Sequence, residues 1–324
     1  MDSKWKERLV GPVVSLPTFN DDKYNLLLDR QRIHVRWLID QGMSEGNGVL
    51  LISGGVGETY MLNDDEYFHL VDLLTDEVKR TVPTMVMISE TGARRAAMKA
   101  KYAADAGIDY VLLSPPHYSS PTEDDIFLHH EYVNGEADIG IMVYNSFWVI
   151  PNGYEFSAGL FDRLASLENV ISVKWSSSNF NNYIGMVKHF KDRFAFIDNM
   201  SMYSYGHRAG MKGFIDMFGN AVPRLSLHMW NLLKEKKYDE YDRLWLKIKG
   251  EPLMKPSLAS DPSWSSVGDA WHALTYLKLL GLDAGPAMPG QAPPSIEYIE
   301  HANKILEAGG MKDWSDWDSD LFNK

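Results

Sequence analysis

A chain of 324 residues, 45% hydrophobic and 23% charged, has ordinary globular composition and enough apolar material for one large core. Its formal net charge of −12 argues against a nucleic-acid backbone or an anionic membrane surface as partner. It contains no cysteine, which excludes disulfides, thiolate metal sites and a cysteine nucleophile.

The N-terminal stretch "MDSKWKERLVGPVVSLPTF" has no apolar run long enough for a signal peptide, and no later stretch approaches a membrane span, so a soluble cytoplasmic protein is predicted. Short β-rich runs then recur at 11–18, 48–54, 84–90, 109–116, 139–145, 170–177, 194–198 and 213–219. Between them lies helical spacing. Residues 64–79 open with acidic cap residues and then repeat apolar positions at three and four; residues 93–106 are alanine-rich and stop at Gly107. Eight strands alternating with helices predict an α/β fold, a (β/α)8 TIM barrel. After residue 236 no strand is expected, only helical segments near 238–249, 263–281 and 294–308, separated by the Gly/Pro-rich loop "GLDAGPAMPGQAPPS" at 281–295. The predicted organisation is a barrel over 1–236 that carries the active site, followed by a C-terminal helical extension over 237–324.

Barrel enzymes place their chemistry at the C-terminal ends of the strands. Those ends read "SGGVGE", "SPPHY", "VYN" and "VKWSSS". Lys174 stands inside the apolar run "VISVKW", although lysine is among the residues least often buried, because its ammonium loses hydration. Burial lowers the pKa of such an amine, and the neutral form can attack a ketone to give an imine. A snorkelling lysine or a buried ion pair is the other reading. Tyr144 ends the preceding strand and could pass protons to the reacting carbonyl, or be a core aromatic. The turn "GGVGE", Gly54 to Glu58, could hold a carboxylate or phosphate on backbone N–H groups, or be a tight strand-to-helix connection. It matches neither the phosphate loop nor the dinucleotide fingerprint. The histidines form no metal-ligating spacing, His129 and His130 read as surface residues of a helix, and there is no GxSxG.

In order and spacing, "GGVGE", "PPHYSSP", "VYN" and "SVKWSS" resemble the dihydrodipicolinate synthase / N-acetylneuraminate lyase family, Schiff-base-forming class I aldolases and dehydratases on a (β/α)8 barrel. The resemblance runs from about Gly11 to the 281–295 segment. It implies that Lys174 forms an imine with a 2-oxo acid and that Tyr144 shuttles the proton. The loop of Gly54, Gly55, Val56 and Gly57 would hold the substrate carboxylate. Tyr118 would reach into a neighbouring subunit's site, and Gly213, Phe214 and Ile215 would line the pocket beside the imine. The resemblance further implies a homotetramer built from dimers, with no cofactor beyond the lysine imine and no metal.

The departures matter equally. Gly55 and Val56 occupy the positions where the family commonly carries two hydroxyl side chains, so the relay from Tyr144 through a threonine to Tyr118 lacks its middle member. A Gly-Gly start is similar to the 5-dehydro-4-deoxyglucarate dehydratase branch. No arginine follows Tyr144-Asn145, which argues against the synthase of lysine biosynthesis. Phe147, Trp148 and Trp175 suggest a bulkier, more apolar region, unless they only pack the rim. Asp198 and Asp216 replace small residues; Asp198 could bond a substrate hydroxyl or ammonium, or both could merely cap the next helices. The leading expectation is a class I lyase that cleaves or forms a carbon–carbon bond with pyruvate. The alternatives are a dehydratase of a 2-oxo-3-deoxy sugar acid through the same imine, and a barrel without catalysis that binds a ligand or serves in assembly.

Overall fold

All eight β-rich runs are strands in the computed structural model of the chain, which describes residues 3–118, 120–147, 154–250 and 268–323. They are β1 (Gly11–Ser15), β2 (Val49–Ile52), β3 (Thr84–Ile88), β4 (Tyr110–Leu113), β5 (Gly140–Asn145), β6 (Val170–Trp175), β7 (Ala195–Asp198) and β8 (Gly213–Asp216). They pair in parallel in chain order and close into a barrel through β1 and β8. The apolar runs outlast the strands, because the residues that follow each strand turn into the loops at the barrel mouth. A helix Ser3–Arg8 (α1) precedes β1. The helices that follow the eight strands are α2 (Leu28–Asp40), α3 (Asp64–Val78), α4 (Ala93–Ala106), α5 (Glu123–Glu136), α6 (Ala158–Leu164), α7 (Phe180–Phe190), α8 (Tyr203–Ala209) and α9 (Pro223–Lys234).

The strands read as continuous apolar runs because both faces are covered. Val13, Val49, Leu51, Met85, Leu112, Met142 and Ile197 fill the barrel. Their alternates Val14, Leu50, Val86, Val111, Val143, Val173 and Phe196 pack outward against the helices. Side-chain alternation along a strand thus sorts every strand-end residue into the pocket or away from it. Local signals set the helix ends. Asn63 and Glu66 form a reciprocal capping box at α3, Thr122 and Asp125 do the same at α5, and Gly107 closes α4 at φ +96°, a left-handed conformation that favours glycine.

After α9 come α10 (Tyr238–Trp245), a π turn over Leu246–Gly250, α11 (Gly268–Leu279) and α12 (Ile296–Gly309). The first part of the expected 263–281 helix lies outside the described residues. The extension packs in one apolar cluster with Phe19, Tyr203, Phe214 and α9, and so lies against the barrel.

One surface expectation is corrected. His129 and His130 are 4% and 0% exposed, because α5 is wedged between α4 and α6 and turns this pair inward. His130 places Nδ1 2.7 Å from the Ile126 carbonyl. Burial pulls His130 down to about 4 and His129 to about 3, so both are neutral structural residues at pH 7.

Candidate active site

The ends of β5 and β6 bring the two expected chemical groups together. Tyr144 and Lys174 are direct register partners, and Lys174 Nζ lies 4.2 Å from the centroid of the Tyr144 ring. A register shift between Ile141 and Met142 sets this pairing, so that both side chains point into the barrel mouth. Lys174 is 8% exposed. Burial lowers its pKa to about 8, and the charge of Asp269 holds it from falling further. Tyr144 is pushed above the ordinary phenol value by burial first and Asp269 second, and the Ser146 hydroxyl opposes both. It is therefore a phenol, able to donate a proton, throughout the physiological range.

The residues after the two strands hold this pair in place. Asn145 donates to the Ser176 carbonyl at 2.7 Å and accepts from the Phe156 N–H at 3.0 Å. Ser146 and Ser176 place their hydroxyl oxygens 3.4 Å apart. Asn199 donates to both, at 3.2 and 2.9 Å. The "SSS" after Lys174 is thus a polar brace across β5, β6 and β7, and Ser177 extends it by donating to Glu155 at 2.7 Å.

The loop after β2 is shaped by contacts that only glycine allows. A Cβ on Gly54 would lie 2.5 Å from Ser15 Oγ, and one on Gly57 2.8 Å from the Leu16 carbonyl. Thr18 donates to the Gly57 carbonyl at 2.7 Å. The N–H groups of Gly55 and Val56 take no partner among the described residues. Glu58 is engaged by the 281–295 segment. It is buried at φ +55°, accepts from the Met288 N–H at 3.0 and 3.1 Å and is bonded by the Gln291 amide. That carboxylate ties the loop to the 281–295 segment, and these bonds compensate a backbone conformation uncommon for glutamate.

Asp269 was not among the residues singled out from sequence. It sits in the first turn of α11, and a Cβ on Gly55 would come within 3.2 Å of its Oδ2. Its pKa is raised by burial and drawn back down by Lys174; its charge also acts on Tyr144 and Tyr60. No local pattern distinguishes it from any other acidic residue at a helix start, and only the docking of the extension brings it to the barrel mouth.

Several expected pocket residues face elsewhere. Ile215 packs on the barrel-interior cluster, but its neighbour Phe214 points outward and stacks on Tyr203 with centroids 4.1 Å apart. Asp198 follows the inward Ile197 and also turns outward. It accepts from the Met200 N–H, and burial raises it to about 7. Asp216 accepts from the Phe218 N–H at 2.9 Å and from Ser226. Each of these aspartates thus accepts a backbone N–H from the loop that follows its strand. Trp175 likewise faces the helices, donating to the Tyr183 carbonyl at 3.1 Å and meeting Phe161 edge-on, so it adds no bulk to the pocket. Phe147 is half-buried, and Trp148 lies outside the described residues. Tyr118 is 91% exposed on the loop after β4. Gly213 closes the barrel, where a Cβ would strike the Gly11 carbonyl. Among the described residues no group of three or more His, Asp or Glu is placed to hold a metal ion, and no helix is long and apolar enough to cross a membrane.

Fold and strand-end chemistry together define a (β/α)8-barrel enzyme of the lyase type. The chain belongs to the dihydrodipicolinate synthetase family, which it matches over residues 10–308. It is 28% identical over 261 residues to the 4-hydroxy-tetrahydrodipicolinate synthase of Rhodopseudomonas palustris, covering 80% of this chain and 85% of that one. Its fold is similar to the chloride-inhibited dihydrodipicolinate synthase from Acinetobacter baumannii complexed with pyruvate (TM-score 0.80, 19% identity, 93% and 99% of the two chains). It is also similar to CdNal from Clostridium difficile in complex with mannosamine (TM-score 0.76, 20% identity, 92% and 98%).

Proposed function

We propose that this protein is a class I lyase that forms an imine between Lys174 and a 2-oxo acid and cleaves or makes a carbon–carbon bond with pyruvate as product or substrate. The observation that carries the reading is the buried amine of Lys174, lowered to about 8, set against the ring of Tyr144 at 4.2 Å. A neutral fraction of the amine attacks the ketone carbon. The carbinolamine loses its hydroxyl as water after protonation from Tyr144, and the resulting iminium accepts the electron pair of the breaking bond. In the cleavage direction Tyr144 takes the proton of the C4 hydroxyl. The unpartnered N–H groups of Gly55 and Val56 suit a carboxylate in place of the hydroxyls that this loop lacks. The exposed ring of Tyr118 supports a place against a neighbouring subunit in a homotetramer.

Borohydride trapping tests the reading. Pyruvate plus borohydride is expected to leave a reduced adduct on the peptide containing Lys174, and Lys174→Ala is expected to leave none. Absence of any adduct with a panel of 2-oxo acids overturns it. Free pyruvate among the products supports cleavage; retention of every carbon in one product identifies dehydration instead.

A further inference from the structure

One hydroxyl of the barrel interior has no task within the protein. Ser15 ends β1 and stands between Val14 and Leu16, which both pack outward, so its side chain faces inward with Val13. The Asn220 amide donates to its carbonyl at 2.7 Å and fixes the main chain. Ser15 is 3% exposed, and its Oγ takes no hydrogen bond among the described residues. A buried hydroxyl without a partner costs stability that alanine would not. This one lies against the loop after β2. A Cβ on Gly54 would come within 2.5 Å of Ser15 Oγ, so a side chain there would displace it. Ser53, two residues beyond the register partner of Ser15, repeats the pattern: it is fully buried at φ +50°, and its Oγ has no partner. With the N–H groups of Gly55 and Val56, this corner holds two hydroxyl and two amide donors that take no acceptor among the described residues. Asp269 Oδ2 stands 3.2 Å from where a Cβ on Gly55 would be, yet accepts no hydrogen bond from any of them.

We propose that Ser15 sets the specificity of this site for a carboxylate, its Oγ donating to the substrate carboxylate that the N–H groups of Gly55 and Val56 also hold. The inference deepens the 2-oxo acid reading above and rests on it. The hydroxyls absent from the loop are thereby supplied from the strand beneath it, and a strand end is a firmer mount than a loop. Donors that lack an acceptor favour an anion, because hydrogen bonds to a charged oxygen are the stronger kind. A neutral group in the same place gains less from them. A 2-oxo acid bound this way has its carboxylate toward β1 and β2 and its ketone free to meet Lys174 from β6.

Two ketones that differ at the carboxylate test it. Borohydride trapping on Lys174 is measured over a range of pyruvate concentrations, and of hydroxyacetone, and the half-saturating concentration and maximal rate are read from the labelled peptide. Ser15→Ala is expected to raise the half-saturating concentration of pyruvate about 10-fold, the loss of one hydrogen bond to a charged group. Its maximal rate is expected within about twofold of wild type, with hydroxyacetone trapped as before. Ser15→Gly serves where Ser15→Ala does not fold. An unchanged half-saturation for pyruvate overturns the proposal and leaves the imine intact. So does an equal loss with both ketones, which marks a displaced lysine and not a lost carboxylate contact. Lactate, which carries the carboxylate without the ketone, separates the two claims, with sodium chloride at equal ionic strength as control. If no 2-oxo acid is trapped but lactate raises the melting temperature of the wild type and not of Ser15→Ala, the carboxylate site stands and the imine chemistry falls. If nothing is trapped and lactate does not distinguish the two proteins, both fall.

Discussion

The strand ends of β5 and β6 and those of β7 and β8 offer the same kinds of side chain, and the barrel uses them in opposite ways. Tyr144 and Lys174 point into the mouth and meet at 4.2 Å. Asp198 and Asp216 turn to the outer side, where each accepts an N–H two residues ahead. Lys249, on the π turn of the extension, adds its charge to that outer pair and lies 4.6 Å from the centre of the Phe218 ring. One position earlier on each strand, Ile197 and Ile215 face the interior. At these strand ends the inward side chains are therefore polar on β5 and β6 and apolar on β7 and β8. Standing at a strand end nominates a residue; the parity of the strand decides whether it reaches substrate.

The contrast is broken most severely at Lys174. Lys174→Ala is expected to abolish borohydride trapping and lower kcat by about 10³-fold or more, as for other covalent nucleophiles. Tyr144→Phe is expected to cost about 10²–10³-fold in kcat while leaving slow adduct formation, measured by single-turnover trapping. Ser146→Ala removes a hydroxyl that acts on Tyr144 and joins the brace to Ser176 and Asn199; a fall of about tenfold or less is expected in the same assay. Asp198→Asn sharpens the comparison from the other side, with trapping expected to stay within about twofold of wild type because Asp198 faces away. Its effect falls on stability. The folded-state value is raised from 3.8 to about 7, so the native state is most favoured below the unfolded value and loses stability as pH rises toward 7. Asp198→Asn is expected to gain about 2 kcal/mol above pH 7 and nothing near pH 3.5, read by denaturant unfolding at the two values.

Much of this was legible in the chain. Eight apolar runs separated by capped helices could pack only as strands covered on both faces. A lysine in one run and a tyrosine closing the run before it were legible as neighbours, because consecutive runs are adjacent strands in a barrel. What escaped depended on packing between distant segments. Phe214 and Ile215 were expected together although alternation separates them, and the outward turn of Trp175 follows from the same geometry. His129 and His130 read as surface residues because polar side chains on a helix usually are, whereas α5 is covered on two sides. Asp269 had no local signature, since its meaning comes from α11 docking beside a loop more than 200 positions earlier.

The bond between Glu58 and the backbone of Met288 spans 230 positions, which has a bearing on how the protein is born. While the ribosome is still delivering the last fifth of the chain, the loop after β2 has nothing to clasp. The clasp that fixes this loop therefore forms only after residue 288 has left the ribosome.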